Sequence, residues 1–590
     1  MPSALRPMPF LLLLSLALSI NGFTQKAYPK DYFRPPLEMR LLLAGTFGEI
    51  RANHFHSGID IKTAGVEGAP VYAVADGYIS RIKVSAYGFG KAIYITHPNG
   101  YVSVYGHLSK YSKVIGEYVK KEQYRRETFE IELFPGETEL PVKKGDIIAY
   151  SGNTGSSGGP HLHFEMRDGA SQKTINPLLF GFDVKDFYKP KILSVKIYPE
   201  GDHSTVNGAH KAVRYLAEGW GTEHRLANNP LIRVSGDISF AIQAYDQQND
   251  TDNKNGPYSL ALFIDSMQVF HFHTEIFSFD ETRFVNSLLD YEEFIRNDVR
   301  LQRTKLDPGN KLSLYDKDIN KGIFSFNDTM THTIRYEVAD VAGNTAVLAF
   351  KVKSEQAAGL FPEPVTRTPV TGINDSIFAN NNKKFYYDRP NHFDNGSVII
   401  DAPVGVFYDS FEFTIDSAKQ IPNTFSPVYK VHNKYTPVHN DITLSIKPAT
   451  LKEDLLAKAV IVKVGDDGKN FSSVGGEWVS GYIETNIREF GNYTIAIDTV
   501  PPTVRGVHPE QFGNMAGQKA IRLTVSDNLT GIASFKALMN GKWVLFEYDP
   551  KNNQLVYFID EHVQPGKNVL LVEVRDGKNN RAYYQAAINL

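Results

Sequence analysis

The chain has 590 residues, 42% hydrophobic and 22% charged; that balance excludes a disordered protein, and the length implies about three or four packed domains. A formal net charge of −3 gives no electrostatic case for nucleic acid as a partner. Cysteine is absent, which excludes disulfide staples, thiol chemistry and cysteine-based zinc, so any metal must be held by His, Asp or Glu.

In chain order, residues 1–24 read as a secretory signal, with Arg6 ahead of a Leu-rich run from Phe10 to Ile20 and a small polar exit at Asn21–Thr24. The run is short for a membrane span, no later stretch approaches that length, and the chain is expected to be exported from a bacterium with no transmembrane span after signal removal. Residues 25 to about 45 form an extended lead-in, because Pro35–Pro36 excludes helix. A β pattern follows. Val71–Val74 and Tyr78–Ile82 flank the turn signal Asp76–Gly77, and Ala92–Ile95 and Tyr101–Tyr105 flank Asn99–Gly100. No helix of useful length is expected here, and abundant Phe and Tyr favour an all-β chain.

Two stretches carry candidate chemistry. In Pro160–His161–Leu162–His163–Phe164–Glu165 the alternation sends His161, His163 and Glu165 to one strand face. In His56–Ser57–Gly58–Ile59–Asp60 a fully extended strand would hold His56 and Asp60 roughly 13 Å apart, too far to share a metal. The chain must therefore bend at Ser57–Gly58, where glycine permits unusual dihedrals. With that bend, His56, Asp60 and one of the two later histidines make a three-ligand set with an open fourth position, as a catalytic zinc requires. His107, at the end of the strand after Asn99–Gly100, is a candidate acid/base or transition-state stabiliser.

His56-x-x-x-Asp60, Tyr105–Gly106–His107–Leu108–Ser109 and Gly155-x-x-Gly158–Gly159–Pro160–His161–Leu162–His163–Phe164–Glu165 resemble, in order, the motifs of lysostaphin-type zinc endopeptidases. The lead-in Phe47–Gly48-x-x-Arg51 resembles the family's Phe-Gly-x-x-Arg segment. The resemblance covers residues 40–182. It implies an antiparallel β peptidase domain of the duplicated-hybrid-motif type, Zn2+ held by His56, Asp60 and His163, and His161 as general base on the attacking water. It further implies that His107 helps stabilise the developing oxyanion, and that the substrate is peptidoglycan stem peptides or cross-links. The competing reading is a catalytically silent wall-binding scaffold with the same fold, but such relatives lose ligands and none is missing here.

Between Val114 and Val142 the sequence departs from that pattern by an extra segment, expected to be a hairpin arm around Phe129–Leu133 and Pro135–Gly136. His271–Phe272–His273 is expected to be surface strand. His54 is expected to be exposed. Asp340 and Asp576, at strand ends, are expected to fix turns rather than hold calcium. Beyond the peptidase domain (25–189), immunoglobulin-like β-sandwich units are expected at 190–355, 395–498 and 499–590, with a Pro- and Asn-rich linker at 356–394. These units are a possible dock for a protein partner.

Overall fold

A computed structural model of the chain describes residues 27–356, 382–515 and 517–589. The expected signal segment lies outside the described residues. Among them no helix is long and apolar enough to cross a membrane.

The chain is all-β with short helical insertions. In the first domain, β1 (Leu43–Gly45), β2 (Ile59–Lys62), β3 (Gly77–Val84), β4 (Lys91–Thr96), β5 (Tyr101–Gly106), β6 (Ile131–Leu133) and β7 (His161–Asp168) form an antiparallel sheet. Their order across it is β1–β2–β7–β5–β4–β3–β6. The strands on either side of Asn99–Gly100 pair as a hairpin, but those flanking Asp76–Gly77 do not: Pro70–Tyr72 pairs with Ile147–Tyr150 in a separate small sheet, while Gly77–Val84 pairs with Lys91–Thr96. Leu162, Phe164 and Met166 of β7 are fully buried, so the opposite face is free to present His161, His163 and Glu165. The extended lead-in is structural: Tyr28, Phe33 and Leu37 are buried in the same core as Phe164.

The extra segment is not a hairpin arm. Lys113–Arg126 is an α-helix, α1, and only the following Ile131–Leu133 pairs with β3. Ile115, Val119 and Gln123 fall on its buried face, a stripe at i, i+4, i+8 that is short, β-branched at two of its three positions and diluted by lysines. That is why its helical period did not stand out.

Three further β units follow, each with its own core. The first pairs back onto the peptidase domain, Thr174–Ile175 against Ile276–Phe277, and receives Phe47 and Phe55 into its own core. In the second, strands Asn382–Phe385 and Asn391–Asp394 pair with Phe411–Ala418 and Val398–Ala402. The sheets therefore take in residues that composition assigned to the linker, because polar edge strands read as loop. Residues 357–381 of that linker lie outside the described residues. The last unit is two four-stranded sheets, and its Phe535, Leu545 and Tyr548 pack against the core of the peptidase domain.

Candidate metal centre

Strand register assembles the site. Asp60 on β2 stands directly opposite His163 on β7, and Gly106, one residue before His107, flanks His163 on the other side. Directly opposed side chains lie about 5 Å apart at Cβ, so one row across three strands supplies most of the polar groups. His56 reaches them because β2 starts only at Ile59 and the chain turns at residues 56–58. Gly58 serves the turn by closeness rather than by a positive φ, since a Cβ there would stand 2.3 Å from the Phe164 carbonyl oxygen. The bend is thus where the spacing of His56 and Asp60 required it, but glycine is needed for contact and not for dihedral freedom.

His56 Nε2 lies 3.1 Å from Asp60 Oδ1 and 3.1 Å from His163 Nδ1, and His163 Nδ1 is 2.9 Å from the same carboxylate oxygen. All three side chains are buried, and together they are a group able to hold a metal ion. Two imidazole nitrogens and one carboxylate oxygen are a zinc-type donor set.

Each ring is fixed from behind. His56 donates Nδ1–H to the Thr46 carbonyl at 2.8 Å, which leaves Nε2 as the lone-pair nitrogen. His163 donates Nε2–H to Glu165 Oε1 at 3.0 Å, which leaves Nδ1. Glu165 is fully buried and also accepts from Ser57 Oγ at 2.5 Å and Arg167 Nε at 2.7 Å. Arg51 Nη2 donates to the outer oxygen of Asp60 at 2.7 Å. Phe89 stacks on the His163 ring at 4.7 Å.

Burial pushes His56 down to about 4, so it is neutral at ordinary pH. Burial works the same way on His163, but hydrogen bonds and charge from Asp60 and Glu165 override it and raise the ring to about 9. Burial opposes the charge on Asp60 too, yet His56, His161 and His163 hold its carboxyl well below the usual range. An entering cation must therefore displace a proton from His163, and finds the other two groups in the form it needs.

His161 and His107 face the same place from the open side. His161 donates Nδ1–H to the Gly159 carbonyl at 2.8 Å, and its Nε2 stands 3.3 Å from Asp60 Oδ1. His107 donates Nδ1–H to the Thr154 carbonyl at 2.8 Å, and the two rings are 4.8 Å apart at their centroids. Burial, then the neighbouring His163 and His161, depress His107 to about 3, so it is neutral. In both rings Nδ1–H is engaged by a backbone carbonyl, which leaves Nε2 for other partners.

All five sequence candidates converge. Sequence reasoning placed Glu165 on the correct face without giving it work, and assigned no role to Arg51, Ser57 or Arg167. The strand alternation was the available signal for Glu165 and Arg51 lay in the noted lead-in; nothing local marks Ser57 or Arg167. His54 is exposed, and His271 and His273 sit half-exposed on one strand, each 2.6 Å from Asp316.

Residues 54–124 and 136–177 match peptidase family M23, and residues 382–498 match the Zu5-like domain. The break in the first match, 125–135, begins in the last turn of α1. The chain is 34% identical over 155 residues to an uncharacterized metalloprotease of Haemophilus influenzae, covering 25% of this chain and 27% of that one. It is 35% identical over 123 residues to the DD-carboxypeptidase/endopeptidase Mpg of Neisseria meningitidis serogroup B, covering 21% and 22%. The matched stretch spans about a quarter of the length of these curated relatives. The solved catalytic domain of lysostaphin from Staphylococcus simulans is 27% identical, over 24% of this chain and 91% of that domain, with a TM-score of 0.18. The chain therefore carries a peptidase family M23 domain of the lysostaphin-like kind.

Proposed function

We propose that the protein is an exported zinc endopeptidase that hydrolyses peptide bonds in peptidoglycan stem peptides or cross-links. The observation that carries this reading is the convergence of His56 Nε2, Asp60 Oδ1 and His163 Nδ1 with two further histidines whose tautomers are fixed. Those three atoms would hold zinc, which when bound would supply Lewis acidity toward the scissile carbonyl and the attacking water. His161 takes the proton of the attacking water at Nε2 and returns it to the leaving amine, its Nδ1–H staying on the Gly159 carbonyl throughout. Glu165 keeps His163 in the Nε2–H tautomer with the Nδ1 lone pair toward Asp60 and His56, and Arg51 holds the second oxygen of Asp60.

With Nδ1–H on the Thr154 carbonyl, His107 stands beside His161; neutral it would accept from the attacking water, and protonated at Nε2 it would help stabilise the developing oxyanion, the part the resemblance implies. Peptidoglycan as substrate is supported by the likeness to the peptidoglycan DD-endopeptidase ShyC of Vibrio cholerae, 28% identical over 149 residues, and export by the Arg6/Leu-rich leader.

Purified cell-wall sacculi incubated with zinc-loaded protein should acquire new amino termini, and His161→Ala should not produce them while retaining one zinc per chain. Absence of new termini with the unaltered protein would sink the proposal and leave the scaffold reading.

A further inference from the structure

The peptidase domain ends in a tail that carries Asp186 into the first β unit, whose opening strand is Lys191–Val206. There Asp186 meets Asp246, which directly follows strand Ile232–Tyr245, and Asp340, which directly follows strand Thr331–Ala339. One oxygen from each carboxylate lies within 4.8 Å of the others. Two oxygens bonded to one calcium are at most about 5 Å apart, twice the Ca–O distance.

Three carboxylates close together are not by themselves a site, since acidic clusters are common at surfaces. This one is not at the surface and is not compensated. Asp246 is 4% exposed and its Oδ1 has no hydrogen-bond partner. Among the described residues no basic side chain acts on Asp186 or Asp246; burial and the neighbouring carboxylates push them up to about 7 and about 8. A separate side chain points to the same place. Gln248, 3% exposed, lines the cavity of about 110 Å³ that Asp186, Asp246 and Asp340 also line, and its carbonyl oxygen Oε1 is unpartnered. A buried amide oxygen left without a donor costs on the order of 1–3 kcal/mol, and here it adds an amide oxygen to those of three carboxyl groups.

The arrangement recurs. At the junction into the last β unit, Asp498, Asp527 and Asp576 again bring their oxygens within 4.8 Å. Asp498 stands ahead of strand Thr503–Gly506 as Asp186 does ahead of Lys191–Val206, Asp527 follows Ala520–Ser526, and Asp576 ends Lys567–Asp576. The supporting hydrogen bonds repeat as well. Asn344 donates N–H and Nδ2–H to the two oxygens of Asp340 and Nδ2–H to the Asp186 carbonyl; Asn580 does the same for Asp576 and the Asp498 carbonyl. Buried Asp498 Oδ1 and Asp527 Oδ1 are unpartnered in their turn.

We propose that Asp186, Asp246, Asp340 and Gln248 bind a calcium-class divalent cation that locks the peptidase domain to the β unit behind it. An all-oxygen donor set with three carboxylates selects a hard cation over zinc, and calcium tolerates the irregular geometry that magnesium does not. The same cavity is lined by Thr46, whose carbonyl orients His56, and by Asn176 of the peptidase domain. The cation therefore bridges elements on both sides of the junction. The turn-fixing role expected for Asp340 stands, with Asn344 as its partner, and the carboxylates do this second work.

The full-length, zinc-loaded chain, dialysed against labelled calcium, should take up about two ions, one for each carboxylate triad. Asp246→Asn, which keeps the side-chain volume and removes a carboxyl that can ionise onto the cation, should take up one ion fewer and lose part of the calcium-induced rise in melting temperature. Gln248→Met should keep the number of ions and weaken uptake several-fold. No uptake by the unaltered chain, or the same uptake by Asp246→Asn as by the unaltered chain, overturns the proposal. None of these readouts involves hydrolysis.

Discussion

At His163 the two ring nitrogens face different carboxylates, and the consequences can be measured one residue at a time. Replacing Glu165 with Gln removes the charge behind the ring and leaves buried Arg167 without its counter-ion. Zinc affinity should fall about 10–100-fold and stability by about 3 kcal/mol, read by zinc competition titration and thermal melting; unchanged affinity would deny Glu165 its orienting role. His163 must lose its proton to bind. Since its pKa in the metal-free protein is raised to about 9, protons compete below that pH, and zinc affinity weakens by about tenfold per pH unit as pH falls from 9. Calorimetry at pH 7 in buffers of different ionisation enthalpy should register the released proton. At Gly58, alanine would drive its Cβ into the Phe164 carbonyl. The strands must part there, at about 1–3 kcal/mol, and zinc per chain should drop below one.

The helix α1 shows why an element-level insertion matters. Tyr124 stacks on His562 at 3.8 Å, meets Trp543 edge-on at 5.0 Å and donates its hydroxyl to Asp560 at 2.8 Å. Lys120 adds an ion pair to Glu561 at 2.9 Å. The helix is thus a dock for the last β unit. Tyr124→Ala should loosen that dock by about 1–3 kcal/mol. Limited proteolysis would then release the last unit faster than in the unaltered chain, with the peptidase core itself unchanged.

Across the whole molecule, the last unit folds back over the first. Lys91 pairs with Glu547 at 2.8 Å, and Lys551 reaches the carbonyls of Asn153 and Ser157 in the glycine-rich loop that approaches β7. Carbodiimide treatment followed by mass spectrometry should therefore yield Lys120–Glu561 and Lys91–Glu547 cross-links within one chain. Their absence from folded monomer would contradict this arrangement.

How much of this was legible follows from what kind of interaction fixes each part. Alternation and turn residues are local, so the Asn99–Gly100 hairpin and the strand face of His161, His163 and Glu165 could be read directly, whereas Asp76–Gly77 makes no hairpin because Pro70–Tyr72 finds its partner in the distant Ile147–Tyr150. Spacing alone forced the bend between His56 and Asp60. The choice of His163 over His161 as the inner histidine is not in the alternation, because both share one face. It depends on register: His163 stands opposite Asp60 while His161 stands opposite Lys62. The helical character of Lys113–Arg126 was hidden because its buried stripe is completed by packing and not by composition. The edge strands at 382–394 were hidden because polar residues pair as well as apolar ones when a neighbouring sheet supplies the partner. Asp186, Asp246 and Asp340 are the extreme case, separated in sequence and individually ordinary. Only the folding of a tail onto the ends of two strands makes them a cluster, because buried charge has meaning only in three dimensions.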